Sequence, residues 1–162
     1  MSLGTNVEVL QESCFCDCLN LQSITSSTKT KSIGSKAFYN CASLTSFTPL
    51  DASTSYVLND VGTSAFAGTG FKSVYCKLSL SSSSVDSFGS YLFAGCKSLN
   101  DVSYDGPFVP GMFEGCTSLT NIQYSNANSI PAYLLKGCTS LKSFNVKSNA
   151  SFIDDECFAG CT

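Results

Sequence analysis

The sequence predicts an α/β solenoid in which each coil contributes one short parallel strand and one helical turn. Three observations lead there. An aromatic position recurs along the chain at Phe15, Phe38, Phe66, Phe93, Phe113, Leu135 and Phe158, at intervals of 20 to 28 residues. Self-similarity at that period marks stacked repeats, in which each coil buries its apolar face against its neighbours. Three places behind each aromatic position stands a small residue: Cys18, Cys41, Thr69, Cys96, Cys116, Cys138 or Cys161. Beyond that comes a Leu-x-x-Ile-like segment ending in Ile24, Phe47, Val74, Val102, Ile122 or Phe144, residues that favour a pleated, half-buried strand. Residues 1–162 are therefore expected to form a single repeat domain of about seven coils.

The elements follow in order. Strands are expected at 21–25, 44–48, 71–75, 99–103, 119–123 and 141–145. In the third coil Thr69-Gly70-Phe71 runs one residue shorter than the usual Cys-x-x-Leu, which tightens that coil without breaking it. Each aromatic segment reads as one helical turn. Gly34-Ser35, Gly62-Thr63, Gly89-Ser90 and Asp154-Asp155 stand where N-cap oxygens are wanted, and Pro110 and Pro131 stand near a first helical position. Asp17, Asn40, Gly68, Gly95, Gly115, Gly137 and Gly160, two residues after the aromatic, tolerate a left-handed stop. An aliphatic slot five residues before the aromatic holds Leu10, Ile33, Val61, Phe88, Ile130 and Ile153, and in the fifth coil either Phe108 or Val109. The Ser-rich stretches 51–55 and 79–84 are expected to be the loosest loops. After Cys161-Thr162 the pattern still owes a strand, so the chain reads as part of a longer array.

Burial expectations come from the same alignment. Phe15, Phe38, Phe66, Phe93, Phe113 and Phe158 should be almost fully buried and stacked with Leu135. The ladder cysteines should be reduced, buried and small, since Thr69 in their midst speaks for size and not for pairing. Cys14 and Cys157 take a position held elsewhere by Ala37 and Ala65, while Cys16 and Cys76 have no repeat-based explanation.

At Ala37-Phe38-Tyr-Asn-Cys41-Ala-Ser-Leu44-Thr-Ser-Phe47 the chain resembles the BspA-like leucine-rich repeats, also called the Treponema pallidum type, whose pattern is I-G-x-x-A-F-x-x-C-x-x-L-x-x-I-x-I-P. The match covers about residues 7 to 162, and the expected proline after the strand is present only as Pro49. The resemblance implies a leucine-rich-repeat solenoid that is curved, with its strands on the concave face. It also implies a surface-exposed or secreted protein of bacteria or parasitic protozoa, often an adhesin that binds host matrix proteins. The family shares no catalytic residues and its motif fixes no ligand residues, so none are carried over.

Composition excludes several function classes. The chain has no His, Arg or Trp, which removes Ser-His-Asp and Cys-His catalysis and His-ligated metals. No Gly-rich phosphate loop or dinucleotide fingerprint is present. A net charge of −3 and the absence of an apolar run of about 18 residues argue against nucleic-acid binding and membrane insertion. Cys14-Phe-Cys-Asp-Cys18 invites comparison with a soft-metal site, yet two of its thiols already have places in the repeat. Asp154-Asp155-Glu156 reads either as a cation attractor or as acids at a helix N-terminus. Asn149-Ala-Ser151 is a glycosylation acceptor if the protein is secreted by a eukaryote. No enzyme and no cofactor is expected.

The functional reading is a protein-binding or adhesion scaffold, with a structural spacer array or an intracellular adaptor as alternatives. In Leu-x-x-Ile-x the Leu and Ile point inward, so the residues flanking Ile face out: Ser23 and Thr25, Ser46 and Thr48, Ser73 and Tyr75, Asp101 and Ser103, Asn121 and Gln123, Ser143 and Asn145. One step further come Lys77, Asp105, Ser125 and Lys147. Most of this ladder is small and uncharged. The candidate binding residues are those of its middle: Tyr75, Lys77, Asp101, Ser103, Asp105, Asn121 and Gln123.

Overall fold

A strand of two residues is too short to stand alone, but it suffices when the next coil supplies its partner. The computed structural model, which describes residues 1–27, 29–51, 57–78, 88–124, 129–146 and 150–162, is built on that arrangement. Most of the Ser-rich stretches, together with Ser125, Lys147, Asn149 and the side chain of Lys77, lie outside the described residues.

Among the described residues nine strands run parallel in three sheets. The aliphatic slots form one: β1 (Val9–Leu10), β3 (Ser32–Ile33) and β6 (Asp60–Val61) pair in register, Leu10 with Ile33 and Ile33 with Val61. Isolated bridges continue that line from Val61 to Phe88 and from Ile130 to Ile153. The Leu-x-x-Ile segments form the opposite wall in two sections. β2 (Ser23–Ile24) pairs with β4 (Ser46–Phe47), and β5 (Val57–Leu58), β7 (Ser73–Leu78), β8 (Asp101–Asp105) and β9 (Asn121–Tyr124) form a four-stranded sheet in the order β5-β7-β8-β9. Between the sections Thr48–Leu50 makes a short 3-10 turn with Pro49 and Leu50 buried. The expected strand at 141–145 does not form: the segment is irregular, with Phe144 half-buried and its ring stacked on Tyr124 at 5.4 Å.

The expected helical turn is replaced by a different device. Around each aromatic position the backbone is left-handed twice, two residues before it and two residues after it. In the second coil these are Lys36 (φ 55°) and Asn40 (φ 58°), and in the sixth Tyr133 (φ 60°) and Gly137 (φ 73°). The later position is the one read from Asp, Asn and Gly. The earlier one, held by Ser13, Lys36, Ser64, Tyr91, Gly111, Tyr133 and Glu156, carries no such signal except at Gly111.

Alternation of right- and left-handed residues turns every second N–H out along the solenoid axis. Lys36, Phe38 and Asn40 donate to the carbonyls of Thr63, Ala65 and Ala67 in the next coil, and Tyr91, Phe93 and Gly95 to those of Pro110, Met112 and Glu114. Within the coil, Ala37 donates to Gly34, Tyr39 to Lys36 and Cys41 to Phe38. A helix would spend its N–H groups on its own carbonyls; this turn shares them with its neighbour. Left-handed geometry costs a non-glycine residue about 1–2 kcal/mol. Three junction bonds at a net value of about 1 kcal/mol each offset that, and leaving buried donors unmade would cost more.

The turn register also resolves the fifth coil. Met112 donates to Val109 as Ala37 does to Gly34, so Phe108 holds the aliphatic slot and Val109 the glycine position. The N-cap reading of Gly34, Gly62 and Gly89 gives way to a packing one. A Cβ on Gly62 would lie 2.3 Å from the Ser35 nitrogen of the preceding coil.

Inside, the phenylalanines stack as a column. Ring centroids are 5.3 Å apart for Phe15–Phe38, 5.4 Å for Phe38–Phe66 and Phe66–Phe93, and 5.9 Å for Phe93–Phe113, with the planes within 9° of parallel. Phe38, Phe66, Phe93, Phe113 and Leu135 are fully buried. Phe15 and Phe158 are only half-buried, contrary to the expectation for the column, because each has a coil on one side alone. Phe158 borders an open hollow of 510 Å³ lined with Leu141, Phe144 and Cys161, and Ile153 in the same coil is 56% exposed.

The cysteine ladder has a role beyond size. The thiols of Cys41, Cys96, Cys116, Cys138 and Cys161 donate at 3.0 to 3.2 Å to the carbonyl of the aromatic-slot residue in the preceding coil. Thr69 keeps a donor in the slot, bonding Phe66 O at 2.9 Å and lying 3.1 Å from the Cys96 sulfur. Small volume plus a weak donor is what Cys and Thr share and Ala lacks. All ten thiols are free. Burial raises Cys96 to about 11, so it stays protonated and unreactive at neutral pH. Cys18, in the first coil, is exposed and Cys161, in the last, is half-buried, and these two depart from the expected burial.

Candidate protein-binding site

Alternation along β7, β8 and β9 sorts their residues by face. Val74, Val102 and Ile122 are in register and point inward, and the next inward row is Cys76, Tyr104 and Tyr124. That row accounts for Cys76, which is buried in the extended half of β7 and raised by burial to about 12. Tyr104 is buried beside it and donates its hydroxyl to Pro107 O at 2.6 Å, which satisfies the polar end of a core ring.

The outward rows carry the candidate residues. Ser73, Asp101 and Asn121 form one row and Tyr75, Ser103 and Gln123 the next, and Asp105 begins a third at the position whose backbone partner on β7 is Lys77. All seven candidates therefore sit on one sheet, in three adjacent rows. Tyr75 is 37% exposed, Asn121 and Gln123 are exposed, and Asp101, Ser103 and Asp105 are half-buried. Two hydrogen bonds cross the strands: Asn121 Nδ2 donates to Asp101 Oδ1 at 2.6 Å, and Tyr75 Oη donates to Asp101 Oδ2 at 3.4 Å. Asp101 is thus held by neutral groups on both sides. Ser46 Oγ donates to Asp51 Oδ2 at 3.4 Å, so a carboxylate read as part of a loop returns to an outward-facing serine. The signal for that was Pro49, which ends the strand and turns the chain back.

The other chemical stretches are accounted for structurally. Cys14 and Cys18 are exposed; Cys16 is half-buried, its thiol donates to Asp17 Oδ2 at 3.3 Å, and lost hydration and the carboxylate both raise its pKa, the reverse of an activated thiolate. Among the described residues no group of three or more His, Cys, Asp and Glu is arranged to hold a metal. In Asp154-Asp155-Glu156 there is no helix for the acids to cap. Glu156 instead pairs with Lys136 of the preceding coil at 2.7 Å, and Asp154 accepts from the Asp155 N–H at 2.8 Å. No helix of the described residues is long and apolar enough to cross a membrane.

Comparison with known proteins agrees with this architecture. The profile described as the BspA type leucine rich repeat region (6 copies) matches residues 8–109 and 60–162. None of the curated proteins matches the sequence. Among solved structures, a leucine-rich repeat protein from Eubacterium ventriosum superposes with a TM-score of 0.75 at 18% identity, covering 98% of this chain and 42% of that one. A leucine rich cell surface protein from Faecalibacterium prausnitzii gives 0.62 at 18% identity, covering 99% and 44%. The T. pallidum leucine rich repeat protein gives 0.51 at 16% identity, covering 80% and 70%. The chain spans less than half the length of the first two. At these identities the likeness shows the fold alone, a parallel-stranded leucine-rich repeat. With the profile matching nearly its whole length, the chain belongs to the BspA-type leucine-rich repeat family.

Proposed function

We propose that this chain is a non-enzymatic protein-binding scaffold of a cell-surface or secreted protein, and that it binds its ligand on the concave face at β7–β8–β9. The observation that carries the reading is the exposed Tyr75 ring beside the fixed Asp101–Asn121 pair. An amphipathic anchor of low side-chain entropy next to oriented polar groups is the composition of a binding hot spot. The outward rows on either side, Ser23 and Thr25, and Ser143 and Asn145, offer only small polar groups. The cell-surface description of the F. prausnitzii neighbour supports the location, and a host matrix protein is the ligand class the family resemblance favours.

The test starts with the purified chain screened against immobilised extracellular matrix proteins. For the partner found, the double variant Tyr75→Ala/Asp101→Ala is expected to weaken binding more than tenfold while circular dichroism and the unfolding midpoint stay close to the parent's. A folded double variant that binds unchanged overturns the assignment of the face. Retention of function by a chain that binds no protein at all would favour the spacer reading.

A further inference from the structure

The outermost coils hold the two halves of one more junction. We infer that copies of this chain bind each other end to end, the last coil of one molecule stacking on the first coil of the next. This surface is separate from the concave face and does not depend on its ligand. The bonding between aromatic turns carries the inference. At every junction among the described residues, three N–H groups of one turn donate to three carbonyls of the following turn, at 2.6 to 3.1 Å. The first turn uses its donors in this way, but its own carbonyls in the accepting places, those of Glu12, Cys14 and Cys16, meet no described donor. In the last turn the N–H groups of Glu156, Phe158 and Gly160 meet no described acceptor. Unpaired backbone groups in a row are a template for another chain. Two last turns would set donor against donor, so only unlike ends match. Such a contact is heterologous and open-ended.

The side chains agree. Phe15 and Phe158 are half-buried, each leaving one side of the aromatic column uncovered. Ile153 is 56% exposed, whereas Ile130 in the same slot is buried. Cys18 is exposed and has no preceding carbonyl for its thiol; Phe158 O of the other copy stands where Phe15 O stands for Cys41. The hollow bounded by Leu141, Phe144 and Phe158 lies beside the last turn, where the strand of that coil is missing. Residues 1–3 are a strand without a turn, bonded along β2 by Leu3 N–H to Thr25 O and Thr25 N–H to Met1 O, both at 2.9 Å. In the joined pair they fill the place of the absent strand. Gln11 in a glycine position is no obstacle, since Asp154 holds that position in the seventh coil and still donates to Ile130 O at 2.9 Å. Charge opposes the contact: Glu12 and Asp17 at one end, and Asp154 and Asp155 at the other, are exposed carboxylates.

The test is sedimentation of the purified chain in reducing buffer, which prevents bridges through Cys14 and Cys18. A junction one coil across is a small interface, so the average mass is expected to rise at least 1.5-fold above the monomer's between about 20 µM and about 1 mM. Salt should strengthen the association by screening the like charges. Cys18→Glu and Ile153→Glu change exposed side chains, one at each end, and both variants should keep the parent's circular dichroism. Each alone is expected to be monomeric. Mixed, they should form a heterodimer and stop there, because each supplies the intact end that the other lacks. Amide shifts should be confined to 1–18 and 141–162. A mass constant over the whole range overturns the inference, including the case in which residues 154–160 respond only to some other added protein. Association of Cys18→Glu or Ile153→Glu by itself, or association weakened by salt, overturns the pairing of unlike ends.

Discussion

Phe93→Ala is expected to destabilise the chain by about 3–5 kcal/mol, read as a lowered midpoint in urea unfolding followed by circular dichroism. The ring lies between Phe66 at 5.4 Å and Phe113 at 5.9 Å, and nothing of it is left to solvent. Collapse into the vacated space would require the flanking coils to approach. They are held apart at the hydrogen-bond spacing by Phe66 N–H to Leu92 O at 3.0 Å and Phe93 N–H to Met112 O at 2.9 Å. The cavity therefore stays open, which puts the cost at the upper end for a large-to-small change. The same substitution at Phe158, half-buried against one neighbour, should cost less than half as much. Equal losses at the two positions would contradict the stacked column.

Gly89→Ala should be at least as damaging, at more than about 3 kcal/mol, although it adds one methyl group. A Cβ there would stand 2.0 Å from the Thr63 nitrogen, 2.4 Å from its Cα and 2.6 Å from the Gly62 carbonyl carbon. All three are backbone atoms of the preceding coil, so no side chain can swing aside. Relief means separating the coils, at the expense of the Gly89 N–H bond to Val61 O at 2.8 Å and the bridge between Val61 and Phe88. Gly95→Ala is the control. Gly95 is left-handed at φ 68°, but the nearest atom to its Cβ is 4.0 Å away, so only the conformational cost of about 1–2 kcal/mol applies. Thermal or urea unfolding of the two variants should separate them clearly, and a milder effect at Gly89 than at Gly95 would refute the close approach.

These positions show what was legible in the sequence. Phe38, Cys41 and Leu44 announce the coil because stacked neighbours demand the same inward side chain at the same place in every repeat. Asn40 and Gly68 announce a left-handed residue because few others tolerate one. Lys36, Ser64 and Tyr133 do not, since their left-handed geometry is stabilised by bonds to the next coil, which local propensity does not register. The helical turn was inferred from that half of the pattern alone. Gly62 and Gly89 carried a real signal that capping explained plausibly and coil contact explains better. At 141–145 the residues are those of a strand, but the segment meets β9 through the Phe144 and Tyr124 rings and not through a backbone ladder.

The binding face divides along the same line. Which residues point outward follows from alternation, so Tyr75, Asp101 and Asn121 were legible as one surface. That Asn121 and Tyr75 both hold Asp101 depends on the register between coils of unequal length, which alignment on Val74, Val102 and Ile122 recovers. The ligand was not legible, because the repeat motif constrains the inward residues and leaves the outward ones free.

Every placement above depends on coils that bond to one another through their aromatic turns. Scalar couplings across hydrogen bonds, measured by NMR on the ¹³C,¹⁵N-labelled chain, test this directly. The account predicts couplings from Phe93 N to the carbonyl carbon of Met112 and from Phe38 N to that of Ala65. Couplings from these nitrogens to the carbonyls of Gly89 and Gly34, four residues back in their own coils, would mean helical turns and would contradict it.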